Sequence, residues 1–557
     1  MKIKVSITRG KIIIKMPGLE AKETIKKIPG VKWKGYPGFY WHCDASPSAA
    51  GILAQECASD GFEFEVLEKG REEFWKLHAQ YLERDTAALY LAMHDHQLPL
   101  PEFVKTKPWL HQLRGYHYYR SLNAGMIPFD MGTGKTKLAI DLMCNANDGA
   151  PVKCLIVAPR YVVSVWPKEL PIHASIPYIV AAPEKPLTVQ KRIAFLENHE
   201  TLSEVRGESF FAVVNYESCL NEKMQRYLMK RKWDVIALDE SHRAKSPTGR
   251  QARFIRTKLR LAGKKRYTLT GTPAPHSPLD VWSQFYFLDP AIYGTSFAKF
   301  RARYSECDQF NKPYEWLRQD EFNRLFYSIA YRVRAQDVLT LPDKQVVNLH
   351  CDLEPATRRI YNEMKQQMIV EIEEGTLTAA NAAVKLLRLL QITSGFIPTD
   401  EGTMTKVSEA KAELLGQLMD DLGPDEPLVV FGVFHTDMDT IKRVAESRGR
   451  SVGEMSGRTK RDQVDAWMNG ELNVLAAQIR SASLGVDFTR ARYAAYFCPG
   501  YSAGDYDQSE RRIWRPGQEK KVTYFRLMVR NTADVGAYLA IDRKMDIVEA
   551  VLGRRLN

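Results

Sequence analysis

Two short runs in this chain have the residue types and spacing to handle a nucleoside triphosphate. Met131–Thr136 reads MGTGKT. Glycines at 132 and 134 let the backbone approach phosphate oxygens, and the N-terminus of a following helix favours their charge. Within that loop, with Thr133 between the glycines, Lys135 is placed to meet the β- and γ-phosphates and the Thr136 hydroxyl to ligate Mg²⁺. Phe129 stands where the usual GxxxxGK[ST] pattern has its first glycine. Downstream, Asp239 ends the apolar run VIALD and Glu240 follows. Asp239 suits a Mg²⁺-holding carboxylate at a strand end, and Glu240 suits a group that orients or deprotonates water. A third run, QSERRIWRPGQ (Gln508–Gln518), sets Arg512 and Arg515 three apart. They share one face if the segment is helical, and guanidinium forks match phosphate oxygens. Each run alone has an ordinary reading: a chance GxGKT, a solvated strand end, a basic surface helix. Their order in one chain is what points to an ATP-driven machine. Ser483, Gly485 and Asp487 follow the strand-like VLAAQ, either as a loop that closes on nucleotide or as a plain strand-to-helix turn.

These side chains need a scaffold that ends strands at loops. Short apolar runs at Cys154–Ala158, Phe211–Asn215, Val235–Asp239 and Tyr267–Thr270 alternate with helical stretches. A second series follows at Leu428–Phe431, Val474–Ala477, Tyr493–Phe497 and Val522–Arg526. That rhythm predicts two α/β lobes with parallel sheets, whose sites lie at the C-terminal ends of the strands. Residues 290–425 read as mostly helical. At the N-terminus, alternation in IKVSI and KIIIK around Arg9-Gly10 predicts a hairpin. A helix over 19–27, strands at Val31–Trp33 and Phe39–Trp41, a helix over 47–57 and a strand over 62–67 complete a small α+β unit.

The chain has 557 residues, too many for one core. Its apolar fraction of 45% is that of a globular protein. The 79 basic against 67 acidic residues give a net charge of +12, which suits a polyanion such as nucleic acid or simply a soluble basic protein. Eight cysteines at 43, 57, 144, 154, 219, 307, 351 and 498 include no CxxC pair, which argues against a zinc finger and for reduced thiols. No apolar stretch approaches signal-peptide or membrane-span length, so a cytoplasmic protein is expected.

Ten ordered blocks now carry a resemblance to the Swi/Snf-type branch of superfamily 2 helicase-like ATPases. In order they are HQLRGYHYY, FDMGTGKT, LIVAPRYVVSVWPKEL, VVNYES, LDESHRAKS, LTGTPAPHSPLDVWSQFYFLDP, LLRLLQITSG, VVFGVFHTD, IRSASLGVDFT and QSERRIWRPGQ, spanning 109–557. The resemblance implies two RecA-like lobes with ATP bound between them. It places an adenine-sensing glutamine at Gln112 and the arginine pair at Arg512 and Arg515. Nucleotide contacts fall at Gly485 and at Asp487, where asparagine is common. Positions that track nucleic acid fall at Pro159, Arg160, Asn215, Tyr216, Phe434 and Ser481. Thr270, Gly271 and Thr272 match the block that couples hydrolysis to lobe movement. Trp514 stands where many members have histidine. With no chromatin-reading domain, the chain looks like the compact bacterial or phage members. Its N-terminal IPGVKWKGYPGFYWHCD loosely resembles the HARP-type recognition domain of annealing helicases. Trp33, Tyr36, Phe39, Tyr40 and Trp41 among Lys26, Lys27, Lys32 and Lys34 are the composition either of a stacking platform or of a small core.

The expected organisation is thus an α+β recognition unit (1–68), a helical connector (69–108), a first lobe with a helical extension (109–345) and a second lobe with a helical lead-in (346–557). The resemblance implies an ATP- and Mg²⁺-dependent motor that translocates along double-stranded DNA and remodels forks or branched DNA, acting as a monomer in a bacterial or phage-infected cell. Two alternatives stay open: an ATPase that displaces a DNA-bound protein such as RNA polymerase, and a nucleic-acid-binding scaffold whose ATPase is dead. RNA is a lesser variant.

Overall fold

The computed structural model describes every residue except 1, 16–19, 29–30, 36–39, 95–97, 161, 184–186, 309–312, 374–378, 400–402, 460–461, 481–485 and 553–557. The chain divides into two compact units. One comprises Met1–Ala274, Pro278–Val338 and Val551–Asn557; the other comprises Pro275–Ser277 and Leu339–Ala550.

The first unit opens with the hairpin β1 (Lys2–Thr8) and β2 (Lys11–Lys15). Arg9 and Gly10, both at positive φ, make its two-residue turn, the conformation that matches strand twist. The sheet gains β3 (Lys32–Lys34), β4 (Tyr40–Asp44) and β5 (Glu63–Val66) in the order β3-β4-β2-β1-β5. Alternation sends Ile3, Val5, Ile7, Ile12 and Ile14 into one core, where helix Pro47–Ser59 covers them. That helix starts on Ser46, whose Oγ accepts from Ala49 N, with Pro47 in the first turn. Trp41 is buried in this core, whereas Trp33 is 48% exposed. The aromatic run is therefore part core and part surface. Tyr36 and Phe39 lie outside the described residues.

A 24-residue helix, Arg71–His94, follows. On it Arg84 reaches Asp289 at 2.7 Å with both side chains buried, and donates to Ser48 Oγ. Arg260 pairs with Asp44 at 2.9 Å. The N-terminal module is thereby tied to the rest of the first unit.

The main sheet of this unit contains β6 (Ala124–Ile127), β7 (Lys153–Ala158), β8 (Tyr178–Ala181), β9 (Ser209–Asn215), β10 (Trp233–Asp239) and β11 (Gly263–Leu269). Its order is β6-β11-β10-β7-β9-β8, and every pairing is parallel. The central strands are buried on both faces and so read as unbroken apolar runs. A short hairpin, β12 (Ser305–Cys307) and β13 (Pro313–Trp316), interrupts the helices that follow.

The second unit begins with β14 (Lys344–Cys351). The sequence pattern made this stretch helical. It is an edge strand paired with β21 alone, half solvated, so its polar–apolar pattern resembles neither a buried strand nor a core helix. A small hairpin, β15 (Phe396–Pro398) and β16 (Met404–Lys406), lies beyond two helices. The strands β17 (Leu428–Gly432), β18 (Val452–Met455), β19 (Val474–Gln478), β20 (Tyr493–Tyr496) and β21 (Val522–Val529) then complete an all-parallel sheet in the order β14-β21-β20-β17-β19-β18. The chain is thus α/β, with two RecA-like parallel-sheet lobes and a small α+β module. No helix among the described residues is long and apolar enough to cross a membrane.

Candidate functional site

The loop after β6 is held by its neighbours before any ligand is considered. Met126 N donates to Ile329 O at 2.8 Å, Asp130 N to Val333 O at 2.9 Å, and Asp130 Oδ2 accepts from Ala335 N at 3.0 Å. Thr133, fully buried, donates from Oγ1 to Asp130 O at 2.7 Å. Gly132 and Gly134 take φ of +81° and +79°, a region open to glycine. A Cβ at 134 would also lie 2.0 Å from Gln112 Nε2. Gly134 then caps the helix Lys135–Cys144, so the loop runs directly into a helix N-terminus. Lys135 Nζ donates to Asp130 O at 3.3 Å, and Thr136 sits half-buried in the first turn.

Gln112 was expected to read the base. It is buried, its Oε1 accepts from Trp109 N at 2.9 Å, and its Nε2 donates to Thr133 O at 3.3 Å. It is therefore built into the back of the phosphate loop. His111 joins it, with Nε2 2.8 Å from Thr133 O. Burial lowers the pKa of this ring, against the pull of that carbonyl, so the neutral tautomer carries its proton on Nε2.

At the end of β10, the Asp239 carboxylate is buried. Oδ2 accepts from Trp166 Nε1 at 3.0 Å and Oδ1 from Glu240 N at 3.0 Å. Burial first, and then the adjacent Glu240 charge, raise its pKa; Lys135 pulls the other way. Glu240 stands at φ +48° and ψ +54°, a left-handed conformation uncommon for a residue with a Cβ. The turn aims its carboxylate at His242, whose Nδ1 lies 3.3 Å from Glu240 Oε2 and 3.3 Å from Thr270 Oγ1. Thr270 Oγ1 in turn accepts from Thr272 N at 3.1 Å. Ser241 Oγ donates to Gln284 Oε1 at 2.6 Å. His242 Nδ1 thus lies between the acid pair and the Thr270–Thr272 block.

Arg512 and Arg515 belong to the second unit and do not share a helical face. The helix Ala503–Glu510 ends before them and both sit in the turn that follows. Pro516 disfavours helix at the residue before it, and Gly517 turns at φ +95°. Arg512 is buried. Arg515 Nε lies 3.6 Å from Asp487 Oδ2, so two residues expected on nucleotide meet each other. Trp514, in the histidine position, donates from Nε1 to Pro342 O at 2.6 Å, with Lys344 over its ring. Gly485, Ser483 and Ser481 lie outside the described residues.

Of the positions expected on nucleic acid, Pro159 and Arg160 follow β7, and Arg160 is exposed. Asn215 ends β9 and is engaged by Arg192 Nη1 at 2.8 Å and Ser218 Oγ at 2.6 Å. Tyr216 is 1% exposed and its hydroxyl donates to Asp239 O at 3.0 Å, so its side chain braces the strand end that carries the acid. Phe434, half-buried, follows β17 at the start of helix His435–Ser447; its N–H and that of Val433 donate to Asp437 Oδ2 at 2.9 and 2.8 Å.

Trp166, His242 and Gln284 drew no expectation from sequence. A lone Trp in VVSVWPKEL gives no sign that it reaches a carboxylate 73 residues on. The SH after DE was the one local signal for His242.

The SNF2-related domain family matches residues 69–394. An ATP-dependent helicase of Mycoplasma pneumoniae is 20% identical over 468 residues, covering 80% of this chain and 42% of its own. A protein of Acyrthosiphon pisum secondary endosymbiont phage 1 is 25% identical over 433 residues, covering 72% of this chain and 89% of its own. The solved Sulfolobus solfataricus SWI2/SNF2 ATPase core in complex with dsDNA aligns with 82% of this chain and 96% of its own at 21% identity and a TM-score of 0.38. This chain spans less than half the length of the Mycoplasma helicase.

Proposed function

Residues 69–394 make this chain a member of the SNF2-related domain family, and we propose from that premise that it is an ATP-hydrolysing translocase on double-stranded DNA which remodels forks or branched DNA. The observation that carries the reading is the Asp239–Glu240 pair at the end of β10, with Asp239 buried and within electrostatic reach of Lys135 of the phosphate loop. Backbone amides of Gly132–Thr136 cradle the phosphates and Lys135 meets the β/γ oxygens. Glu240 takes a proton from, or orients, the attacking water, and His242 fixes its carboxylate. Arg512 and Arg515 supply charge to the transferred phosphoryl group, the role the resemblance gives them. The Arg515–Asp487 pair must then open.

A Mg²⁺ ion fits the donor set. Asp239 is a buried carboxylate whose ionisation is opposed by burial and by Glu240, a cost that a divalent cation would offset. Among the described residues no cluster of three or more His, Cys, Asp or Glu is poised for a metal. That suits an ion held by one carboxylate, the Thr136 hydroxyl, waters and the phosphates themselves. When bound, Mg²⁺ neutralises charge on the β/γ oxygens.

The backbone of the DNA would run past Arg160 at the end of β7 and Asn215 at the end of β9, and Phe434 after β17 would meet it from the second unit's own face, the role the resemblance gives it. Contacts to phosphates and not bases predict little sequence preference and a steep salt dependence. The protein would act as a monomer in the cytoplasm of a bacterium or phage-infected host, a setting that the phage relative supports. The test is ATP hydrolysis without nucleic acid and with duplex, forked DNA, single strands and RNA. Stimulation by duplex, greater with the fork, is expected. No stimulation by any of them would overturn the reading in favour of a protein-dependent motor or a scaffold.

A further inference from the structure

A groove of about 1430 Å³ crosses the first unit, lined by neither the phosphate loop nor the acid pair. One wall is β3 with the helices Lys22–Lys26 and Pro47–Ser59 of the N-terminal module. The other is formed by the helices Phe297–Tyr304 and Gln319–Tyr327. The buried Arg84–Asp289 pair and the Arg260–Asp44 pair fix the walls relative to each other.

Its charge is one-sided. Seven Lys and Arg side chains line it against two Glu. Four of the seven are already committed: Lys26 to Glu23, Lys27 to Glu56 and Asp60, Arg84 to Asp289, and Arg303 to Glu321. Lys32, Lys299 and Arg324 are exposed, one on each of three wall elements, and none has a carboxylate partner among the described residues. The aromatic rings beneath, Tyr293, Phe300 and Tyr304, are buried in the wall. Tyr81 and His78 of the helix Arg71–His94 also line the groove, half-buried, so its exposed lining side chains are led by the three cations, which favours phosphates over splayed bases. Its volume exceeds that of the usual small-molecule pocket, roughly 300–1,000 Å³.

We propose that this groove holds the phosphate backbone of a second DNA segment, an arm of a forked or branched substrate distinct from the duplex the motor tracks. The proposal rests on the translocase reading above. The N-terminal module thereby gains a defined role, because its β3 and the helices of the first lobe together form one clamp and neither side forms it alone.

The test is affinity by fluorescence anisotropy for a plain duplex and for a fork, over a range of salt, in the full chain. In the variant Lys32→Gln/Lys299→Gln/Arg324→Gln, fork affinity falls at least about tenfold at moderate salt. The slope of log affinity against log salt becomes shallower by about 0.9 for each phosphate the protein no longer neutralises, while plain-duplex affinity is unchanged. The charge-keeping variant Lys32→Arg/Lys299→Arg/Arg324→Lys binds the fork as the wild type does. A fork affinity that is unchanged, or that falls by the same factor as that of the duplex, overturns the groove. A wild-type protein that binds neither DNA overturns the translocase reading itself and the groove with it.

Discussion

The N-terminal module should depend on one buried ion pair, and Arg84→Met tests this. Asp289 is fully buried and accepts three hydrogen bonds: from Arg84 Nη2 at 2.7 Å, Ser48 N at 3.2 Å and Ala291 N at 3.0 Å. Burial pushes the Asp289 carboxyl up, but Arg84 and these donors outweigh it and the net shift is downward. Methionine keeps the packed stem and removes the charge. Stranding one member of a buried pair costs about 3–5 kcal/mol. Two of the three donors remain, so about 3 kcal/mol is expected, read as a fall in the urea midpoint at constant slope. The pH dependence has a definite sign. In the wild type, a carboxyl held below its unfolded value stabilises above about pH 4 and loses that contribution as pH falls through the depressed value. In Arg84→Met burial acts with less opposition, the carboxyl is raised, and the destabilisation shrinks on acidification from pH 7 as Asp289 takes up a proton. Adding Asp289→Asn, which keeps the acceptor for Ala291 N, should recover most of the loss. A loss under about 1 kcal/mol at pH 7, a pH-independent loss, or no recovery in the double variant would each refute the reasoning; buried pairs normally exceed that threshold.

The remaining predictions concern the nucleotide site. Lys135→Ala should lower kcat by at least about a hundredfold, the scale of losing one charge-stabilising donor; steady-state hydrolysis at the wild-type rate would refute the phosphate-loop assignment. Glu240→Gln should bind ATP as the wild type does and hydrolyse it about 10²–10⁴-fold more slowly. Loss of ATP binding in equilibrium titration would show that Glu240 serves the loop and not the water. Tyr216→Phe removes the bond to Asp239 O, costing about 1–3 kcal/mol of stability for the stranded carbonyl, and should slow hydrolysis while leaving DNA affinity unchanged. A fall in DNA affinity of about tenfold, or 1.4 kcal/mol, would return Tyr216 to the nucleic-acid path.

The sequence was most legible where one period dominated. The alternation of KIKVSIT and KIIIK marked the hairpin, and VIALD and KCLIVA marked central parallel strands, because burial on both faces leaves only apolar residues. The four-residue strands β6 and β8 at the sheet edges were too short to stand out, and β14 alternated too weakly. Type and spacing mark the motif residues, but they do not mark the partners those residues meet in the fold. Trp166 approaches Asp239 through the fold, and Gln112 turns its amide to the loop because Trp109 N and Thr133 O lie within its reach. The spacing of Arg512 and Arg515 puts them on one face only if the segment is helical, and Pro516 sets the local backbone against that.

Glutamate at position 240 holds a backbone conformation that its own side chain does not favour. Left-handed conformation disfavours most side chains by about 1–2 kcal/mol, and asparagine escapes much of that penalty. Asparagine in place of Glu240 would therefore ease the backbone while removing the carboxylate. The fold thus carries a local backbone strain at the residue whose carboxylate stands next to Asp239 and 3.3 Å from His242.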